Sequence, residues 1–135
     1  MEEKIIICDT DVMIDYWDFK QKRSEYTRDI LDNQIGLKNI ALSAVTKMEL
    51  LQGATNKSDL IKTINNLIDF NILMINSEIS QKSVDLIEFF GLSHKLSIPD
   101  SLIAATAIDT GHDLCTGNVR HFRPVVSLSC MAFHP

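Results

Sequence analysis

The sequence of 135 residues has no long apolar stretch and no closely spaced cysteine pair. Its unbroken apolar runs are only a few residues long, which excludes a membrane-spanning segment. Its three cysteines are widely separated and odd in number, which argues against a disulfide framework, and no Cys or His pair has the spacing of zinc ligands. We therefore expect the cysteines to be small buried hydrophobic residues: Cys8, Cys115 and Cys130.

Positive charge is also scarce, because 13 Lys and Arg residues stand against 18 Asp and Glu residues, for a formal net charge of -5. This balance argues against a protein that binds nucleic acid through a generally basic surface. It does not exclude an enzyme with an acidic pocket in which a cation compensates clustered carboxylates. The basic residues form two short clusters, and clusters of this length commonly lie on a solvated face: Lys20, Lys22 and Arg23, then Arg120 and Arg123.

The remaining composition is typical of one soluble domain. The chain is 45% hydrophobic and 23% charged, and its length suffices for one ordinary core. It contains no internal repeat, low-complexity segment or Pro/Gly-rich linker, so we expect a single domain over residues 1–135. The acidic start, Met1 to Lys4, lacks the apolar region of a signal peptide, which predicts a cytoplasmic protein with no membrane partner.

Strand and helix patterns alternate along the chain. The predicted strands cover residues 4–8, 40–42, 71–75 and 113–116, with a weaker one at 124–128. The predicted helices cover residues 24–35, 43–52 with Ser43 as cap and Gly53 as end, a segment capped by Ser58, 77–90, and a segment from Pro99 to Gly111. This alternation predicts an α/β fold with a mostly parallel sheet covered on both faces, and ligands of such sheets bind beyond the carboxyl ends of the strands.

Three acidic residues lie in segments that a parallel sheet would place at that edge. In KIIICDTDVMIDYW, residues 4–17, Asp9 comes directly after a buried strand, although it or Thr10 can also cap a helix that starts near Asp11. Glu49 lies among apolar neighbours in LSAVTKMELLQG, where a surface position is the alternative. Asp100 lies in the first turn of the most apolar helix, where the helix dipole also favours an acid.

These three acids are expected at one edge of the sheet. Converging carboxylates repel one another unless a cation compensates them, and Mg²⁺ prefers oxygen ligands while retaining several waters. Such waters can be activated as nucleophiles, and the ion can neutralise charge on a phosphoryl group. The pattern therefore favours metal-assisted hydrolysis of a phosphodiester bond.

Three strings together resemble the PIN-domain ribonucleases, and in particular the VapC-type toxins of bacterial and archaeal toxin–antitoxin pairs. They are IIICDTDVMIDYW, LSAVTKMELLQG and IPDSLIAATAIDTGHDLCTGNVRHF, and with the intervals between them they cover nearly the whole chain. The resemblance implies a three-layer α/β/α sandwich and an endoribonuclease that depends on Mg²⁺ or Mn²⁺ and acts on structured RNA such as tRNA or rRNA. It also implies a homodimer and a cognate antitoxin, whose basic group is expected near the acids, with residues 24–35 and 58–70 as candidate walls.

The resemblance also assigns residues. The three acids that match the family's catalytic and metal-binding acids are Asp9, Glu49 and Asp100. The polar residues that match its supporting positions, one beside the first acid and two in a Thr-x-Asn turn after the fourth strand, are Thr10, Thr116 and Asn118.

One departure from the family pattern lies in TGNVRHFR. Many PIN domains carry a further acid in or just after this turn, whereas here the turn has Asn118 and His121, which puts a second tightly held metal in doubt. His121 either packs beside Phe122 or donates to a scissile phosphate or a leaving oxygen. Arg120 and Arg123 can contact neighbouring phosphates.

Two other functions fit part of the sequence. IIICDTDVM also looks like the first motif of a haloacid-dehalogenase-type phosphatase, with Asp9 as nucleophile and Asp11 as acid/base, but the late acidic pair of that mechanism has no match beside Asp113. Trapping a phosphoaspartate would support this alternative. The second alternative is a catalytically impaired PIN-fold module that only binds a partner or RNA. The missing acid favours it, and the presence of the other three acids argues against it. Metal-dependent cleavage of RNA by the purified protein would distinguish an active nuclease from this module.

Overall fold

The computed structural model describes residues 4–122, Val125 and the backbone of residues 130–132. Its five strands form one parallel sheet in the order β3-β2-β1-β4-β5. The strands are β1 (Ile6–Cys8), β2 (Ile40–Ser43), β3 (Asn71–Leu73), β4 (Asp113–Thr116) and β5 (Cys130–Ala132). Over these residues, no helix has the length and apolar character needed to cross a membrane.

Helices connect the strands and lie on both faces of the sheet. They are α1 (Thr10–Tyr16), α2 (Ser24–Asp29), α3 (Ala44–Gln52), α4 (Lys57–Leu67), α5 (Ser77–Phe90), α6 (Ile98–Thr110) and α7 (Val119–Phe122). A π-helical turn, Ile30–Ile35, extends α2, so the predicted helix over residues 24–35 is present with a widened second half.

The alternation of side chains along the central strand separates two cores. Ile6 and Cys8 of β1 pack on one face of the sheet with α1 and the extension of α2, whereas Ile7 packs on the other face with α6. All three side chains are buried. A helical layer on each side of a parallel sheet confirms the predicted α/β/α sandwich.

Local capping explains where the helices that frame the site begin and end. Ser97 caps α6 by accepting from the Asp100 N–H, Pro99 occupies its first turn, and Gly111 ends it at a positive φ of 74°. Ser43 caps α3 by accepting from the Val45 N–H. These boundaries agree with the sequence prediction.

Two predicted boundaries differ from the structure. The prediction that Ser58 caps α4 is wrong, because the Asn56 side chain accepts from the Asp59 N–H and the helix therefore begins earlier. The predicted strand at residues 124–128 lies mostly outside the described residues, and the fifth strand that the structure describes is at 130–132.

The cysteines of the central strands are buried, as expected. Cys8 and Cys115 are paired in register on β1 and β4, with at most 2% of either residue exposed. The neighbouring Cys115 thiol and burial together raise the pKa of Cys8. The side chain of Cys130 lies outside the described part of the chain.

Candidate active site

The three predicted acids meet at the carboxyl end of the central strands. Asp9 directly follows β1, Glu49 lies on the helix that follows β2, and Asp100 lies in the first turn of α6. They border one cavity of about 310 Å³, whose lining residues are Asp9, Thr10, Asp11, Ile14, Glu49, Asp100, Asn118 and Phe122. The expected juxtaposition is therefore present, and the catalytic roles of these acids remain a prediction.

Asp9 is held from both sides. Its Oδ1 accepts from the Thr10 N–H at 2.8 Å, and its Oδ2 accepts from the Thr116 hydroxyl at 2.8 Å. The residue is only 7% exposed, and burial raises the pKa of its carboxyl group from the usual 3.8 to about 6, with the charges of Asp11 and Asp100 adding to the effect. Asp9 therefore caps α1 and also lines the cavity, so the two interpretations of this residue are compatible.

Glu49 is oriented by a hydroxyl group from the first helix. The Thr10 hydroxyl donates to Glu49 Oε1 at 2.7 Å and also lies 3.0 Å from the hydroxyl oxygen of Thr46, which is fully buried. Glu49 is half-buried and lines the cavity, so the structure fits the interpretation of Glu49 as a site residue better than the interpretation as an exposed surface residue. Sequence reasoning did not single out Thr46, since a threonine inside a helix carries no specific signal.

Asp100 contacts His121, a residue of the stretch in which the sequence lacks a further acid. His121 Nε2 lies 3.1 Å from Asp100 Oδ2 and is buried, but the two groups are not aligned as a hydrogen bond. The His121 ring meets the Phe122 ring edge-on, with centroids 5.4 Å apart. The predicted packing beside Phe122 is confirmed, and the contact with Asp100 brings the same side chain to the border of the site.

The turn after β4 holds Asp9 and approaches a fourth acid. The Thr116 hydroxyl accepts from the Asn118 N–H at 3.0 Å while donating to Asp9. At Gly117, an added Cβ would lie 2.9 Å from Asp11 Oδ2, so glycine allows the turn to approach this carboxylate closely. Asp11 was considered only as the acid/base of the phosphatase alternative and not as a member of the nuclease site, although the Asp-Thr-Asp string that follows β1 was the available signal.

The cavity thus has four carboxylates, from Asp9, Asp11, Glu49 and Asp100. Their oxygens are the ligand type that Mg²⁺ and Mn²⁺ take. Burial first, and then the charges of Asp11 and Asp100, raise the pKa of Asp9 in this cavity. Within the described residues, no three acidic, His or Cys side chains converge closely enough to enclose an ion. The donor set therefore fits an ion that is held directly by one or two carboxylates and otherwise by water.

The structure describes one of the two arginines that were predicted to contact phosphate. Arg120 is exposed on α7 and lines a depression beside the cavity, together with Asn118 and His121. Arg123 lies outside the described residues.

Comparison with known proteins identifies the family. Residues 6–125 match the PIN domain. The chain belongs to the PIN domain family. A search of curated protein sequences found no match.

Solved structures share the fold of this PIN domain. A chain of a toxin–antitoxin complex from Klebsiella pneumoniae is 28% identical with a TM-score of 0.70, over 91% of this chain and 94% of that one. A chain of VapBC2 from Rickettsia felis, bound to a DNA fragment from its promoter, is 20% identical with a TM-score of 0.73, over 96% and 99%. A chain of VapBC-1 from nontypeable Haemophilus influenzae is 22% identical with a TM-score of 0.68, over 95% and 97%.

Family membership bears directly on the alternatives. The match begins at Ile6, within the opening stretch that the phosphatase interpretation used, and it extends past β4 to Val125. PIN domains are generally nucleases, so the phosphatase alternative has no support beyond the Asp-x-Asp string itself.

Proposed function

We propose that this PIN domain is a cytoplasmic, metal-dependent endoribonuclease and the toxin of a toxin–antitoxin pair. The observation that carries the proposal is the cavity with four carboxylates at the carboxyl edge of a PIN-domain sheet. The fold shared with chains of toxin–antitoxin complexes supports the biological role. The test is cleavage of tRNA and rRNA by the purified protein with Mg²⁺ or Mn²⁺, and its loss when a chelator removes the ion. Binding of RNA without cleavage would favour the impaired binding module instead.

Two acids are the proposed direct ligands of the ion. Asp9 and Asp100 would hold Mg²⁺ or Mn²⁺, with Glu49 close by or linked through water. When bound, the ion supplies neutralisation of phosphoryl charge and a water of lowered pKa. The residues of the chain position these groups: Thr116 orients Asp9, and Thr10 orients Glu49 while leaving its second carboxylate oxygen as an acceptor.

Metal binding is expected to stabilise the protein, and more strongly at high pH. An ion at 100 times its Kd adds about 2.7 kcal/mol to the free energy of unfolding, so the melting temperature should rise by several degrees in Mg²⁺ or Mn²⁺ at pH 8. Because the pKa of Asp9 is about 6, protons compete for its oxygens below that pH, and the shift should shrink at pH 5. Thermal unfolding monitored by circular dichroism at both pH values measures this.

A double variant and a matched control make this measurement specific. Asp9→Asn combined with Asp100→Asn should remove the thermal shift. Asp85→Asn, which changes an exposed acid on α5, should retain it. A melting temperature of the wild-type protein that does not respond to millimolar ion at pH 8 would refute a metal site in this cavity.

A groove beside the cavity, with one apolar and one polar wall, supports the proposed antitoxin partner. The groove has a volume of about 430 Å³ between α1 and α4, and its apolar wall comprises Ile14, Trp17, Phe19 and Leu50. Ile14 is 58% exposed and also lines the acidic cavity, so a segment lying in the groove reaches the acids. Of the two helical segments predicted as candidate walls, α2 contributes Arg28 to the lining of this groove and α4 contributes its polar face.

A basic residue of the antitoxin is expected to lie near Asp9 and Asp100. Removing one partner of a buried charge pair costs about 2–5 kcal/mol, because the other charge is left unpaired, so replacing that Arg or Lys with Gln should weaken the complex by at least tenfold. Calorimetric titration with the wild-type and substituted antitoxin measures the difference. Gln substitutions at the antitoxin's other basic residues serve as the control, and equal affinity for every variant would refute the charge pairing.

The homodimer that the resemblance implies is also part of the proposal. Its candidate surface is an exposed apolar group on α5, α6 and the loop between them: Val84, Phe89, Leu92 and Ile98. The molecular mass in solution, measured by sedimentation, tests this part.

A further inference from the structure

A second depression adjoins the acidic cavity and is lined by basic and amide side chains in place of carboxylates. It has a volume of about 260 Å³ and is lined by His94, Asn118, Arg120 and His121. Asn118 lines both the cavity and the depression, and His121 stands at their border with its Nε2 3.1 Å from Asp100 Oδ2. Carboxylates therefore line one side of this border, and an arginine and histidines line the other.

The arginine in the depression is available to a ligand. Arg23 is paired with Asp15 at 3.1 Å, and the Arg28 guanidinium lies 4.5 Å from the centroid of the Phe19 ring. Arg120, the third arginine of the described chain, is exposed and makes no such contact with the residues that the structure describes. A guanidinium presents a planar set of N–H donors that matches the oxygens of a phosphate group.

The His94 ring is held in place by its neighbours. Its Nδ1 lies 2.7 Å from the Ser93 hydroxyl, and its ring meets the Phe90 ring edge-on with centroids 5.7 Å apart. When the Ser93 hydroxyl donates to Nδ1, the ring proton is on Nε2, which is then a donor for an anion. The depression thus combines an exposed guanidinium with an oriented imidazole and the amide group of Asn118.

We infer that this depression is a phosphate subsite that binds a backbone phosphate of the RNA strand, next to the phosphate that enters the acidic cavity. The inference rests on the proposed function. A phosphate enters the acidic cavity only with a compensating cation, whereas the donors of the subsite favour a phosphate directly. A strand that crosses the border at Asn118 places successive phosphates in the two sites. The subsite then determines which phosphodiester bond lies over the carboxylates.

The first experiment compares two variants that each lose one positive charge. Arg120→Gln changes the subsite, and Lys57→Gln changes an exposed lysine on α4 that lines neither the subsite nor the cavity. Fluorescence anisotropy with a labelled single-stranded RNA of mixed sequence is measured in Mg²⁺ over a range of salt concentrations. Every protein in the binding experiments also carries Asp9→Asn, so that the RNA stays intact during the measurement. Arg120→Gln should weaken binding about tenfold and reduce the salt dependence by about one phosphate contact, whereas Lys57→Gln should change neither.

The second experiment locates the phosphate on the strand. RNAs that carry one neutral methylphosphonate, placed in turn at each position, are compared in binding to the wild-type protein and to Arg120→Gln. A methylphosphonate next to the cleaved bond should weaken binding of the RNA to the wild-type protein about tenfold. The same methylphosphonate should not weaken binding to Arg120→Gln further, because the RNA change and the protein change remove the same contact. His94→Gln should reduce the effect at the same position.

The outcomes separate the subsite from the proposed function. Cleavage of RNA together with equal affinities of Arg120→Gln and Lys57→Gln overturns the subsite and leaves the nuclease intact. Binding that depends on Arg120 in a protein that never cleaves RNA supports the subsite and overturns the nuclease. A third outcome is that inorganic phosphate binds the wild-type protein but not Arg120→Gln, while both proteins bind RNA with equal affinity. This outcome assigns the depression to a free anion and overturns the RNA assignment. Failure of every form to bind RNA overturns both proposals.

Discussion

Asp9→Asn is expected to abolish RNA cleavage and to leave the chain folded. The Asp9 carboxylate is buried, is fixed by two hydrogen bonds and borders the cavity with the other acids. Replacing it with an amide removes the charge that attracts the ion and loses several kcal/mol of transition-state stabilisation. The cleavage rate should therefore fall by about 10³-fold or more. Single-turnover cleavage in Mg²⁺ and in Mn²⁺ measures the loss.

The amide fits the position of the carboxylate. The oxygen of Asn can accept from the Thr10 N–H, and its NH₂ group can donate to the Thr116 hydroxyl oxygen, so both contacts have a replacement. Asp85→Asn on the exposed face of α5 is the matched control and should cleave at the wild-type rate. Full activity of a folded Asp9→Asn protein would remove Asp9 from the site.

The same variant should also change how stability depends on pH. Asp9 ionises near 3.8 in the unfolded chain and near 6 in the folded protein, so its stabilising contribution is complete below pH 3.8 and is lost as the pH rises through about 6. That difference corresponds to about 3 kcal/mol. Without metal, Asp9→Asn should therefore resist urea better than the wild-type protein at pH 8, and its advantage should shrink at pH 4.

Thr116→Val is expected to reduce cleavage at pH 7 by about 10–100-fold, the usual effect of removing a group that orients a metal ligand. The Thr116 hydroxyl is fully buried, donates to Asp9 Oδ2 and accepts from the Asn118 N–H. Its bond to Asp9 lowers the pKa of that carboxyl group, so its removal should raise this pKa further and move the acidic limb of the rate profile to higher pH. The buried groups left unpaired should also cost about 1–3 kcal/mol of stability.

Thr116→Ser separates this positioning role from simple packing. Serine retains the hydroxyl group and loses only a methyl group, so the acidic limb should stay at its wild-type pH even if stability falls slightly. A rate profile of Thr116→Val that keeps the wild-type acidic limb would show that Thr116 does not act through Asp9.

Much of the fold follows from local sequence. The β1 string IIIC ends at Asp9, Ser43 starts α3, and Pro99 and Gly111 bound α6, as the capping chemistry of these residues predicts. The cap of α4 was mispredicted because Asn56 and Ser58 are both good cap residues, and only the extended backbone at Asn56 decides between them.

The sequence by itself determined that three acids lie in segments that a parallel sheet places at one edge, the edge where its strands have their carboxyl ends. Only the tertiary structure decided which side chains then touch. The close approach of Gly117 to Asp11, the bond from Thr10 to Glu49 and the contact of His121 with Asp100 each join segments far apart in the chain. Such contacts depend on the packing distances and angles between helices and strands, which hydrophobic periodicity and capping signals do not specify.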